Sequence, residues 1–257
     1  MFDRTREVGI SIVTTAASLV AFPVVAGIIG GVVAVVRRPS PGLVSGVQHF
    51  AAGVVMAAVA GEVLPDLRAR GSLWLIVVGF SAGVAVLVGL RHFDGDEDSG
   101  DDEVSGDDEV SGGVLPLGFL AVVAVDLFID GLLVATGAAV SKRTAVIIAI
   151  ALTVEVLFLG LTVALRLAGS GMLRVRAAAI TGGVSLVTAV GAVLGALVLG
   201  GASASILTLV LAFAAAALLW LVVEELLVEA HQTPERPWMA VVFFAGFLIL
   251  YCLGVME

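Results

Sequence analysis

Apolar residues run along almost the whole chain in stretches long enough to cross a lipid bilayer, and short polar segments separate them. A hydrocarbon core about 30 Å thick requires roughly 20 apolar residues per transmembrane helix. By this criterion the sequence predicts eight transmembrane helices, near residues 9–35, 43–66, 72–90, 114–140, 144–168, 173–200, 203–228 and 237–256. The expected fold is therefore all-α, with residues 1–257 forming a single polytopic transmembrane domain.

One connection is long and strongly charged. Residues 91–113 read RHFDGDEDSGDDEVSGDDEVSGG and contain an immediate duplication of DDEVSG. The segment has too few apolar residues to form a core and too many like charges to collapse, so it is predicted to be disordered. Two roles are open for it, a solvated tether between the third and fourth helices or a weak cation-collecting tail.

The composition supports a membrane protein and narrows its partners. Hydrophobic residues make up 60% of the chain and charged residues 14%, against about 45–50% and about 25% in soluble domains. The lipid bilayer is therefore an expected partner and the cell membrane the expected location. A net charge of −9 argues against nucleic acid, which requires basic patches. Basic residues divide almost evenly between the two sides of the predicted topology, so the positive-inside rule gives no orientation.

Three acidic residues lie inside the predicted fourth and fifth helices. Asp126 is near the middle of the fourth helix and Glu155 near the middle of the fifth. Asp126 and Asp130 are spaced i,i+4 and share one helix face. Because only a few residues join the two helices, these helices should be antiparallel neighbours. The pattern therefore places three carboxylates at one depth in the membrane.

Such a cluster has to be neutralised. One ionised carboxylate at the centre of a membrane helix costs roughly 2.5–3.5 kcal/mol on insertion scales, and no Lys or Arg lies in the interior of a predicted helix. We predict that Asp126, Asp130 and Glu155 bind a metal ion. The alternative is that they are protonated and hydrogen-bond to neighbouring helices. All-oxygen ligation favours Mn²⁺, Mg²⁺ or Ca²⁺, although Zn²⁺ also accepts carboxylates.

The second and seventh predicted helices end in similar sequences. Glu62 and Asp66 bracket the first ending, EVLPD, and Glu225 and Glu229 bracket the second, ELLVE. The two helices run in opposite directions, so helices 1–3 and 6–8 are predicted to form an inverted repeat around a central pair, an arrangement common in transporters.

These four acids, together with His231, are candidate access or exit residues for a cation. The alternative is ordinary charge at helix ends. His49 and His92 are expected to be solvated rather than to bind metal.

The central segments resemble a known family. Residues 126–131 read DLFIDG and residues 155–160 read EVLFLG. They are similar to the motifs His-Asn-x-Pro-Glu/Asp-Gly and His-Glu/Asn-x-Pro-Glu-Gly of the ZIP (Zrt-, Irt-like) metal transporters. The endings EVLPDL and EELLVEA also resemble the Leu-Leu-Pro-Glu endings of that family. The resemblance covers essentially the whole chain. It implies eight transmembrane helices in a 3+2+3 arrangement, external termini and a cytoplasmic loop after the third helix.

The chain departs from the family pattern at the site itself. Asp126 and Glu155 stand where the family has histidines, and Asp130 is the family acid that remains. Leu127, Val156 and Leu159 replace residues that would form a second, adjacent metal position, so the resemblance implies one metal site rather than two. In the sixth helix, GAVLGA (191–196) stands where the family often has a Glu-Pro pair.

The expected function is that of a membrane carrier for divalent metal cations of the Zn, Mn or Fe class, which works by alternating access. The metal would be the transported substrate, and no fixed cofactor is expected. Two alternatives are a transport-inactive ZIP-like protein that senses or buffers metal, and a carrier for protons with a small solute. An enzyme is not expected, because the predicted helices contain no Ser/His pair or His-Glu-x-x-His motif. A homodimer is left open.

Overall fold

A computed structural model describes residues 2–37, 39–70, 72–97, 117–231 and 236–256. All regular secondary structure in these ranges is helical, so the predicted all-α fold is confirmed for the described part of the chain. The helices are α1 (Phe2–Val36), α2 (Pro41–Arg70), α3 (Leu73–Glu97), α4 (Leu117–Val140), α5 (Lys142–Gly169), α6 (Arg174–Leu199), α7 (Ala204–Trp220, continued by Leu221–Leu226 and Leu227–Ala230) and α8 (Pro237–Met256).

Seven of the helices in the described ranges are long and apolar enough to cross a membrane; the apolar part of α3, Leu73–Gly89, is shorter. Large apolar side chains point outward from the bundle, among them Val198 at 74% exposure and Val241 at 66%. Helices satisfy their own backbone hydrogen bonds and so tolerate an environment without water. The protein is therefore a multi-pass α-helical membrane protein.

The acidic segment begins later than predicted. The backbone of α3 remains helical to Glu97, so the prediction of disorder was wrong for residues 91–97. Once a helix has formed, each further residue that joins it adds one backbone hydrogen bond. The helix can therefore continue beyond its apolar part. The remainder of that segment and the predicted start of the fourth helix, residues 114–116, lie outside the described residues.

Serine side chains define the starts of three helices. The Ser40 hydroxyl accepts a hydrogen bond from the Leu43 amide at the start of α2, and Ser203 does the same for Ile206 at the start of α7. At the start of α5, the Ser141 hydroxyl accepts from the Thr144 amide at 3.0 Å. Serine is favoured here because it satisfies a backbone N–H that has no partner within the helix. Ser141 is also the single residue between α4 and α5, which makes these helices a tight antiparallel hairpin.

The helices pack as two groups of four. In the first group α1 packs against α5 and α6, and α4 packs against α6. In the second group α2 packs against α8, and α3 against α7. The groups meet mainly where α2 contacts α5 and where α4 contacts α7. The hairpin that carries the three central acids therefore belongs to the first group and faces the second.

Glycines allow the closest helix crossings. A β-carbon added to Gly131 on α4 would collide with the Thr188 carbonyl oxygen on α6, and one added to Gly191 on α6 would collide with the Phe128 carbonyl on α4. Small residues allow backbones to approach closely where lipid provides no hydrophobic drive for helix association. Gly131 and Gly191 therefore allow the close packing of α4 against α6.

We predict that Gly131→Ala destabilises the protein by about 1–3 kcal/mol, because the added methyl group meets rigid backbone on α6. The measurement is the midpoint of unfolding of the purified protein in detergent. Gly183→Ala is the matched control, because a β-carbon there meets nothing within 4 Å. Alanine should leave stability unchanged or raise it by up to about 1 kcal/mol at that position. Equal losses in the two variants would contradict the crossing.

Candidate metal site

The α4–α5 hairpin brings the three central acids together. Asp126 and Asp130 lie one turn apart on α4, and Glu155 lies on the antiparallel α5. One carboxylate oxygen from each residue can be chosen so that all three lie within 4.8 Å of one another. This is the predicted cluster, and its separations are those expected of groups that share one small cation.

The cluster is buried and short of hydrogen-bond donors. Asp130 and Glu155 are each 2% exposed, and Asp126 is half-buried. Among the described residues, neither carboxylate oxygen of Glu155 has a hydrogen-bond partner, nor does Oδ2 of Asp130. Buried polar atoms are almost always paired, and a buried ionised carboxylate without a partner is strongly unfavourable. A proton or a bound cation has to supply the missing interaction.

A fourth acid lies beside this cluster. A small cavity between α4 and α7 is lined by Asp126, Asp130 and Glu225, with apolar side chains forming the rest of its wall. Glu225 was predicted at the access or exit end of its helix. The structure places it on the same cavity as Asp126 and Asp130, and the residue is exposed. The cavity lies on the boundary between the two helix groups.

Two π-helical turns accompany the acidic endings of α2 and α7. The turns span Val59–Val63 in α2 and Leu221–Leu226 in α7, and they contain Glu62 and Glu225 respectively. Single π-helical turns inside α-helices are rare and frequently lie at functional sites, because the wider turn changes where the following side chains point. Sequence patterns did not predict these turns. The only available signal was the similarity between the two endings.

Glu62 and Asp66 bind to the beginning of α5. Arg143 donates from Nε to Oε1 of Glu62 at 3.1 Å, and its Nη2 lies 3.0 Å from the same oxygen in an ion pair. Nη2 donates to the Gly254 carbonyl on α8. Thr144 donates from its hydroxyl to Oδ2 of Asp66 at 3.0 Å. Glu62 is buried and its charge is paired with Arg143. These bonds connect the two helix groups at one end of their boundary.

Two of the histidines lie side by side, one buried and one exposed. His49 is only 6% exposed, so the prediction that it is solvated was wrong. Its ring lies beside that of His231, with the ring centroids 5.4 Å apart. The side chains of His92 and Glu229 lie outside the described part of the structure.

Comparison with known proteins adds no relative. No protein-family model matches the chain, and no curated protein matches it in sequence.

We predict that Arg143→Gln lowers the unfolding free energy by about 1 kcal/mol, because Glu62 loses its cationic partner while Arg143 itself is 46% exposed. Thermal unfolding in detergent measures the change. Lys142→Gln, next to it and exposed, is the matched control and should have no effect. In the double variant Glu62→Gln/Arg143→Gln the loss should be smaller than the sum of the single losses. Strictly additive losses would show that the pair contributes nothing.

Proposed function

We propose that the protein is a membrane carrier for divalent cations, and that Asp126, Asp130 and Glu155 hold the ion during transport. The main support for this proposal is the cluster of three carboxylates inside the bundle, one oxygen from each lying within 4.8 Å of the others. Some of these buried oxygens have no hydrogen-bond donor among the described residues. Acidic groups at membrane depth usually mark ion pathways.

We propose further that all eight helices cross the membrane in a 3+2+3 inverted repeat. In addition to the seven long apolar helices, α3 would make the shortest crossing. The packing supports this repeat. The repeat pairs α1 with α6, α2 with α7, α3 with α8 and α4 with α5. Under this pairing the α1–α5 contact corresponds to the α6–α4 contact, and the α2–α8 contact corresponds to the α7–α3 contact. The π-helical turns in α2 and α7 also exchange. Inverted repeats are frequent in carriers that bind substrate where the halves meet.

Alternating access follows from the boundary between the two helix groups. The cavity lined by Asp126, Asp130 and Glu225 opens on that boundary, so movement of one group against the other would change the side from which the acids are reached. At one end the Arg143–Glu62 ion pair holds the groups together. Glu225 is suited to pass the cation between the cluster and the surface of the bundle, because it lines the cavity and is exposed.

The ligand set favours a hard cation and a single ion. Oxygen ligands suit Mn²⁺, Mg²⁺ or Ca²⁺ better than they suit ions that prefer nitrogen or sulfur. A second small cavity next to the site is lined by Leu127, Val156 and Leu159, the residues that replace the second metal position of the ZIP pattern. Its largely apolar walls offer poor ligands to an adjacent ion. We therefore propose a divergent ZIP-like carrier with one carboxylate site.

A transport-inactive protein that binds metal is the second candidate. The favouring observation is that α4 and α5 are unbroken helices through the site, whereas transporter sites are typically formed by interrupted helices. The two candidates differ in flux but not in binding, so uptake of Mn²⁺ into proteoliposomes separates them.

We predict that Asp130→Asn and Glu155→Gln each weaken Mn²⁺ binding by about tenfold or more, because each removes one of the three charges that face the ion. Isothermal titration of the full-length protein in detergent measures the affinity. Asp66→Asn is the matched control, since Asp66 binds Thr144 at the end of the helix boundary. If Asp66→Asn weakens binding as much as Asp130→Asn, the central site is wrong.

We also predict that Mn²⁺ affinity rises from about pH 5.5 to about pH 8. Three ionised carboxylates this close repel one another, so the metal-free cluster holds protons that the metal must displace. Binding should release protons, seen as a buffer-dependent heat in calorimetry. An affinity that is flat over this range, without proton release, would contradict metal–proton exchange.

A further inference from the structure

Two of the three histidines of the chain meet at the end of the bundle where α2 begins and α7 ends. The ring centroids of His49 and His231 are 5.4 Å apart and the ring planes are tilted by 52°. His49 is buried and His231 is exposed. The pair is therefore anchored on one side and open to water on the other.

Ser45 fixes the pair in place. Its hydroxyl donates to the Ala230 carbonyl at 2.8 Å, a buried bond between α2 and α7. Its own carbonyl accepts from Nδ1 of His49 at 2.8 Å. Because His231 directly follows Ala230, one serine sets the position of the end of α7 and the orientation of the His49 ring.

The hydrogen bonds also select the tautomer of both rings. Nδ1 of His49 bonds to the Ser45 carbonyl, and Nδ1 of His231 bonds to the Leu227 carbonyl, each one helical turn earlier. A carbonyl oxygen only accepts, so each Nδ1 carries the hydrogen, and Nε2 of the neutral ring carries the lone pair. Histidines that bind metals typically donate their other N–H to a backbone carbonyl in this way.

The separation of the rings matches a shared metal ion. Two imidazoles that bind one tetrahedral ion at about 2.0–2.1 Å have ring centroids about 5 Å apart. The observed 5.4 Å is close to that separation.

We propose that His49 and His231 form a second cation site that takes a transition-metal ion of the Zn²⁺ or Ni²⁺ class through two imidazole nitrogens, with water as the remaining ligands. Imidazole suits these ions, whereas Mg²⁺ and Ca²⁺ prefer oxygen. The chain would then hold two sites of different chemistry. The histidine site does not depend on the carboxylate cluster being a transport site.

The first test removes the carboxylate cluster and titrates Ni²⁺ into the full-length protein in detergent. In Asp126→Asn/Asp130→Asn/Glu155→Gln we expect one Ni²⁺ per chain. Adding His231→Asn or His49→Gln should weaken its binding roughly tenfold or more. His92→Asn, which changes the third histidine, is the matched control and should have no effect. Unchanged Ni²⁺ affinity in both the His49→Gln and His231→Asn backgrounds would overturn the proposal.

A second test uses the unmodified chain, so it does not depend on folding of the triple variant. One equivalent of Cu²⁺ should give an electron paramagnetic resonance spectrum with coupling to two imidazole nitrogens, and His231→Asn should reduce it to one. A spectrum with oxygen ligands alone would overturn the histidine site. If the two-nitrogen Cu²⁺ signal is absent while Mn²⁺ still binds, only the proposal of the histidine site is contradicted. Loss of Mn²⁺ binding in Asp130→Asn with the Cu²⁺ signal intact would affect only the carboxylate cluster, so the two proposals are tested separately.

Discussion

Carboxylates that are buried among apolar helices have to be neutralised by a proton or a bound cation, and the chemistry of the central site depends on this constraint. Glu155 shows it best, because it is 2% exposed and neither of its oxygens has a hydrogen-bond partner in the described part of the chain. Replacing Asp126, Asp130 and Glu155 by leucines would remove the electrostatic penalty altogether. Their presence inside the bundle therefore indicates a role that apolar residues cannot fill.

Glycine crossings hold both arms of the hairpin that carries these acids. The backbones of α4 and α6 touch near Gly131 and Gly191, directly beside the turn that carries Asp130. On the other arm of the hairpin, Gly160 meets the backbone of α1 at Gly27. Both arms of the hairpin therefore pack tightly, backbone against backbone, on helices of their own group. Neither crossing involves the second group, which α4 meets at α7 and α5 meets at α2.

The helices and the central cluster could be predicted from sequence because both depend on local and strong signals. Runs of apolar residues indicate the helices, and the i,i+4 spacing of Asp126 and Asp130 with the short link at Ser141 indicates that the acids meet. The position of Glu225 could not be predicted, since it depends on a π-helical turn that no composition signal marks. The burial of His49 was also missed, because only the packing of α2 against the end of α7 excludes water from a residue near a helix start.

The Arg143–Glu62 pair makes one end of the boundary between the helix groups sensitive to ionic strength. An ion pair whose arginine is 46% exposed is screened by dissolved salt, and the screening length falls from about 10 Å at 0.1 M to about 3 Å at 1 M. Contacts between glycine backbones are unaffected by such screening. High salt should therefore weaken this one contact between the groups, while the close glycine crossings within each group keep their strength.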